Sequence, residues 1–94
     1  MRFEWNTGKN RANQKRHGIS FEEAQTVFLD ERALFIEDPE HSETEDRYLL
    51  MGMSDELRVI TVCHCYRKND NVIRLISARK ATKHEREQYW VRLI

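Results

Sequence analysis

The chain has 94 residues, 39% of them hydrophobic and 34% charged, which is enough for one domain with a single modest core. Sixteen Lys and Arg balance sixteen Asp and Glu, so the formal net charge is zero, and this balance argues against a uniformly basic nucleic-acid binder. No segment approaches the ~20 apolar residues of a membrane-spanning helix. We therefore predict a single domain over residues 1–94, located in the cytoplasm and without a membrane span.

The charges are segregated along the chain. Residues 1–19 carry five Lys or Arg against one acid, residues 20–57 carry two against twelve, and residues 58–94 carry nine against three. If the two basic ends meet in the fold, they form one basic surface beside an acidic one, and a polyanionic partner becomes plausible again. The alternative is a mixed, solvated surface.

The elements are predicted in the order β-α-α-β-β-β-β-α. The segment RFEW alternates like a strand, and Asn6 or Thr7 is expected to cap a polar helix that ends at Gly18. Ser20 and Glu23 have the spacing of a capping box, in which hydroxyl and carboxylate each bond the other residue's backbone N–H. The second helix begins there, and its apolar stripe consists of Phe21, Ala24, Val27 and Phe28.

Four further strands are predicted in ALFIED, DRYLLMGMS, LRVITVCHCYR and VIRLISA, separated by the Pro39 loop and by short turns. Thr82 and Glu85 repeat the capping-box spacing and open a last helix. Consecutive strands joined by tight turns indicate an antiparallel sheet. The predicted class is therefore α+β, with four or five strands, two N-terminal helices and a C-terminal helix.

Three stretches of the sequence resemble a known family. HGISFEEA, DPEHSETEDR and IRLISARKAT, the last followed by ER and Y, are similar to the BrnT toxins of type II toxin–antitoxin systems. The resemblance implies a RelE-like fold and ribonuclease activity that arrests translation. It also implies a BrnA-like antitoxin that neutralises the toxin in a heterotetramer and carries the DNA-binding segment, so that operator DNA is bound only through the antitoxin.

Metal-independent RNA cleavage requires a base for the 2′-OH, cations for the phosphoryl oxygens and an acid for the leaving 5′-oxygen. Arg74 and Arg79 are the leading phosphate ligands, because guanidinium is always charged and its planar fork suits phosphate. Strict alternation places them on opposite faces of the strand, unless a bulge or the strand end re-aims Arg79. Their alternative role is an ion pair with the acidic segment.

Four other residues are candidates for the catalytic site. Arg67, at the end of the fourth strand, is a similar phosphate ligand. Glu45 and Arg47 stand two residues apart and so on one face, where they form either a base and phosphate-clamp pair or a surface salt bridge. His17 has the pKa range for acid–base work, but a histidine in a last helical turn also interacts favourably with the helix dipole.

The remaining candidates bear on binding. Lys9, Lys15 and Arg16, on the polar first helix, are expected to contact the RNA backbone. Cys63 and Cys65 are interpreted as reduced thiols and His64 as a core histidine. Because a structural zinc site needs four ligands and no second cysteine pair exists, we predict no metal and no cofactor.

A second hypothesis is a non-catalytic module that holds the antitoxin and acts as a transcriptional co-repressor. The acidic middle segment fits both hypotheses, because it suits a basic partner. Loss of RNA cleavage on removal of one strand arginine, with antitoxin binding kept, distinguishes the enzyme from the binding module.

Overall fold

The computed structural model describes residues 1–37 and 46–91, which form a five-stranded sheet with helices packed against it. The elements are β1 (Arg2–Glu4), α1 (Thr7–His17), α2 (Phe21–Ala24) continued by a 3₁₀ segment (Gln25–Leu29), β2 (Leu34–Glu37), β3 (Tyr48–Met53), β4 (Val59–Arg67), β5 (Val72–Lys80) and α3 (Lys83–Val91). This is the order predicted from the sequence. None of the described helices has the length and apolar character to cross a membrane.

The sheet is mixed, with the strand order β1-β5-β4-β3-β2. The pairs β2–β3, β3–β4 and β4–β5 are antiparallel, but β1 runs parallel to β5, with Phe3 opposite Ile73. The predicted wholly antiparallel sheet is therefore wrong at this edge. The prediction rested on tight turns between consecutive strands, and β1 and β5 are separated by most of the chain.

The main core lies between α2 and one face of the sheet. Phe21, Ala24 and Val27 are fully buried, and Phe28 packs against the same cluster from a partly buried position, so the predicted apolar stripe is confirmed. The sheet contributes Leu50, Ile60, Val62, Ile73, Leu75 and Ala78 to this cluster. This packing fixes which face of the sheet is closed by helices.

The polar helix α1 is attached to the sheet by buried asparagines and not by an apolar stripe. Asn13 Oδ1 accepts from the backbone N–H of Ala78 at 3.0 Å, and its Nδ2 donates to the Ala78 carbonyl oxygen at 2.8 Å. Asn10 Oδ1 accepts from the backbone N–H of Phe21 at 2.8 Å. Because β1 pairs only with the first three residues of β5, Asn13 satisfies the strand's outer edge beyond β1.

The helix α3 packs on the opposite face, where Tyr89 and Ala81 form a second, smaller cluster with Met51 and Val59. Its N-terminus is capped as predicted: Glu85 N donates to Thr82 Oγ1 at 3.1 Å, and Thr82 N donates to Glu85 Oε1 at 2.8 Å. This reciprocal capping box places the Glu85 carboxylate beside the end of β5.

The three other predicted helix ends have different outcomes. Asn6 caps α1 by accepting from Lys9 N at 3.0 Å, and Gly18 ends it with a φ of 71°. Ser20 Oγ accepts from Glu23 N at 3.0 Å, as predicted. The second predicted bond of that capping box, from Ser20 N to the Glu23 carboxylate, is wrong. The Glu23 carboxylate instead accepts from the Ser54 hydroxyl at 2.6 Å and pairs with the guanidinium of Arg58, which lies just before β4.

Candidate functional site

The two arginines of β5 lie on the same face of the sheet because the strand carries a bulge. In the β4–β5 register, consecutive residues of β4 pair with Leu75 and Ser77, and Ile76 between them is the extra residue. One extra residue shifts the alternation, so Arg74 and Arg79 face the same way. The bulge is the exception to strict alternation that the sequence left open.

This face, the arginine face, is opposite the one that α2 covers. Ile73 and Ala78 are the β5 neighbours of the two arginines, and both belong to the α2 core cluster, so the arginines point the other way. The arginine face is shared with α3, whose Tyr89 packs nearby on Met51. Arg74 and Arg79 still reach solvent, with side chains 29% and 39% exposed.

Arg74 is paired with Glu4 across the parallel β1–β5 edge. Its Nη1 donates to Glu4 Oε2 at 2.7 Å, and both side chains remain about one-third accessible. The hydrogen bond from Arg74 lowers the pKa of Glu4, and the charges of Lys68 and Arg67 lower it further. An ionised carboxylate thus lies among several cations: the cations can bind a phosphate, and the carboxylate can accept a proton, although as a weaker base than an unpaired glutamate.

Arg79 donates two hydrogen bonds to its carboxylate partner, whereas Arg74 donates one. Its Nη1 and Nη2 donate to the two oxygens of Glu85 at 2.7 and 3.0 Å, and Thr61 Oγ1 donates to the same carboxylate at 3.2 Å. The fork from Arg79 is the main reason that the pKa of Glu85 falls from 4.5 to about 2. Glu85 is only 14% exposed, so this pair joins the first turn of α3 to β5.

These contacts bear on the alternative of ion pairing with the acidic segment. Among the described residues, Arg74 pairs with Glu4 and Arg79 with Glu85, both outside residues 20–57; the acids of residues 38–45 lie outside the described residues, so pairing with that part of the segment stays a prediction. Sequence reasoning missed both as members of the site. The available signal was that Glu4 is the single acid among residues 1–19; Glu85 was interpreted only as a helix cap.

The other predicted catalytic residues occupy different surroundings. Arg67 is exposed and lies two residues beyond Cys65, the β4 partner of Arg74, so it shares the arginine face. Arg47 comes just before β3 and is half-buried, and its Nε is buried without an acceptor among the described residues. Glu45 lies outside the described residues. His17 is half-buried in the last turn of α1.

The cations of α1 border the sheet edge. Lys9, Lys15 and Arg16 are exposed, as expected for so polar a helix. Because β1 pairs with β5 and Asn13 binds the outer edge of β5, the basic N-terminal and C-terminal parts of the chain are adjacent. This adjacency is what a single basic surface requires.

The Cys-His-Cys run of β4 is part of the core. His64 is fully buried on the α2 face, with ring centroids 4.8 Å from Phe28 and 5.4 Å from Tyr66, and burial lowers its pKa. Cys63 and Cys65 are buried thiols. Across residues 1–37 and 46–91, no group of three or more His, Cys, Asp or Glu is arranged to hold a metal ion.

Comparisons with known proteins agree on one family. A family model described as "Ribonuclease toxin, BrnT, of type II toxin-antitoxin system" matches residues 5–85. Among solved structures, the fold is similar to that of the Brucella abortus ribonuclease toxin BrnT, with 20% identity, 88% of this chain and 99% of that chain covered, and a TM-score of 0.66. No curated protein matches the chain. The chain belongs to the BrnT family of ribonuclease toxins of type II toxin–antitoxin systems.

Proposed function

We propose that the protein is a RelE-like endoribonuclease toxin that cleaves RNA without a metal ion, arrests translation and is neutralised by a BrnA-like antitoxin. The observation that carries this proposal is the bulge in β5, which brings Arg74 and Arg79 to one face of the sheet in a member of a ribonuclease-toxin family. Guanidinium groups on a solvent-accessible sheet face supply the positive charge that phosphoryl transfer needs.

In the proposed reaction the 2′-oxygen loses its proton to a base and bonds to phosphorus. The bond to the 5′-oxygen then breaks as that oxygen gains a proton, leaving a 2′,3′-cyclic phosphate. Arg74 and Arg67 bind the phosphoryl oxygens, and Arg79, whose fork is shared with Glu85, is a third candidate ligand on the same face. Glu4 is within hydrogen-bond distance of Arg74 and is the described carboxylate best positioned to accept the 2′-OH proton.

The other residues chosen from the sequence keep proposed roles. Arg47 and Glu45 are a second candidate clamp and base pair, and His17 is the candidate acid. Lys9, Lys15 and Arg16 bind the RNA backbone from α1, because exposed cations attract phosphates without regard to sequence. Their contribution to binding therefore weakens as the salt concentration rises.

A second function is favoured by one observation. Arg74 and Arg79 each already bond a carboxylate, which is also what structural arginines do. On this view the chain is a non-catalytic module that holds the antitoxin, and the complex binds operator DNA through the antitoxin and represses transcription.

The decisive experiment incubates the purified protein with a defined RNA in EDTA, with and without the cognate antitoxin. We expect cleavage in EDTA, suppression by the antitoxin, and a product that ends in a cyclic phosphate. Arg74→Ala is expected to abolish most of the cleavage and to retain antitoxin binding. Strict dependence on a divalent cation contradicts the mechanism, whereas antitoxin binding without any wild-type cleavage supports the co-repressor. Sedimentation of the complex tests the expected heterotetramer.

A further inference from the structure

The edge of the sheet farthest from β1 is formed by β2. This strand has β3 as its one neighbour in the sheet order. Within residues 1–37 and 46–91, the backbone of Leu34–Glu37 makes no hydrogen bond to any other element. An edge strand of this kind presents a row of N–H and C=O groups to which another strand can be added.

Two apolar grooves flank this edge, one on each face of the sheet. Phe35, which is 67% exposed, lines both. The first groove, about 640 Å³, lies against Tyr48 and Tyr66 on the α2 side. The second, about 630 Å³, lies between β2 and Val91 of α3, and Val91 is itself 66% exposed. Because side chains alternate along a strand, a strand added to β2 would place its residues in the two grooves in turn.

Among the described residues, each groove is lined by one acidic side chain and by no Lys or Arg, and the first is also lined by Met1 with its α-amino group. Asp70 lines the first groove and Glu87 the second. These two carboxylates disfavour RNA and attract Lys or Arg side chains. A peptide segment with consecutive apolar residues, one for each groove, and with Lys or Arg at its flanks matches both the grooves and their acidic lining residues.

We propose that β2 binds an extended, basic and apolar segment of the antitoxin as an added strand, with its apolar residues in the two grooves and its cations beside Asp70 and Glu87. This inference rests on the antitoxin partner of the proposed function and is independent of the catalytic chemistry. Three strand spacings separate β2 from β5, or about 14 Å. The added strand therefore leaves Arg74 uncovered, and any block of the active site comes from another part of the antitoxin.

The test measures the affinity of the purified cognate antitoxin for Phe35→Thr by calorimetry. Thr keeps strand propensity but removes the apolar anchor between the grooves, and we expect binding to weaken by about 30-fold or more, as for an interface hot spot. The matched control is Leu57→Asn, which removes an 83% exposed apolar side chain at a φ of 61° that Asn adopts readily. The control is expected to bind like the wild type.

Two further measurements address the geometry and the charges. Hydrogen exchange should show that the antitoxin protects amides of residues 34–37, because an added strand takes up their free N–H groups. The double variant Asp70→Lys, Glu87→Lys should weaken binding and reduce its sensitivity to salt, since the attraction to Lys and Arg is lost. RNA cleavage by Phe35→Thr should match that of the wild type.

Several outcomes overturn the inference. Wild-type affinity in Phe35→Thr, or no protection in β2, means that the antitoxin binds elsewhere. If Phe35→Thr loses both RNA cleavage and antitoxin binding, the grooves bind RNA. If the wild type self-associates with rising concentration and Phe35→Thr abolishes this, the grooves bind a second copy. A wild-type protein that binds antitoxin through β2 but cleaves no RNA refutes the ribonuclease proposal and supports this one.

Discussion

The Arg79–Glu85 pair allows a quantitative prediction, because its effect on Glu85 is large and the carboxylate is mostly buried. Replacing Arg79 by Ala removes two hydrogen bonds, at 2.7 and 3.0 Å, from a carboxylate that is 14% exposed. Thr61 and the backbone N–H of Thr82 remain as donors to Glu85. The variant therefore weakens the attachment of α3 to β5 without leaving Glu85 wholly unsatisfied.

The magnitude follows from the pKa of Glu85. A fall from 4.5 to about 2 corresponds to roughly 3 kcal/mol of favourable interaction with the ionised form at neutral pH. Arg79 makes the largest contribution, ahead of the Thr82 backbone, so we assign it about 1.5–2 kcal/mol. In a 94-residue domain that loss lowers the Tm by roughly 6–16 °C.

Urea unfolding of the wild type, Arg79→Ala, Glu85→Gln and the double variant measures the coupling free energy directly. Because the pKa of Glu85 is lowered in the fold, the pair stabilises the protein above pH 4.5, and this stabilisation disappears as the pH falls toward about 2. The difference between wild type and Arg79→Ala should shrink over that range. If Arg79→Ala unfolds at the wild-type urea concentration at pH 7, the fork does not hold Glu85 and the reasoning is refuted.

Three further predictions follow from the described contacts. Arg74→Ala should lower the rate of RNA cleavage by about 10²–10³ with an almost unchanged Tm, since its pair is solvent-accessible; full activity would remove Arg74 from the site. Asn13→Ala should cost about 2–4 kcal/mol in urea unfolding, because the N–H and C=O of Ala78 lose their partner; a wild-type unfolding midpoint would contradict the edge-sealing role. Tyr89→Phe should lower the free energy of unfolding by about 1.5–3 kcal/mol at pH 7, because it removes the 2.6 Å hydrogen bond to ionised Asp30, and by less at pH 3. An equal decrease at both pH values would show that the charge of Asp30 is not involved.

The two arginine pairs differ in how readily the arginine can reach a phosphate. Glu4 and Arg74 are both about one-third exposed, so a phosphate can approach Arg74 without unfolding any element. Arg79 is held by a carboxylate that also caps α3, and its release would disturb the helix. We therefore expect Arg74 to dominate the chemistry and Arg79 to dominate the stability of this face.

Local sequence patterns determined much of this protein. The order of the elements, the cap at Gly18, the Thr82–Glu85 capping box and the apolar stripe of α2 are all confirmed, and the motifs that indicated the BrnT family agree with the matching family model. Each of these features depends on residues within a few positions of one another. Spacing along the chain is therefore sufficient to predict them.

Contacts between distant residues were decided only by the tertiary structure. Glu4 and Arg74 are 70 positions apart, and Asn13 and Ala78 are 65 apart, so neither pair has a signature in local spacing. The parallel β1–β5 pairing also joins the two ends of the chain. The bulge at Ile76 depends on the register between β4 and β5, which is set by the packing of both strands against α2. The sequence therefore offered the arginines as candidates, whereas their common face and their carboxylate partners emerged from the fold.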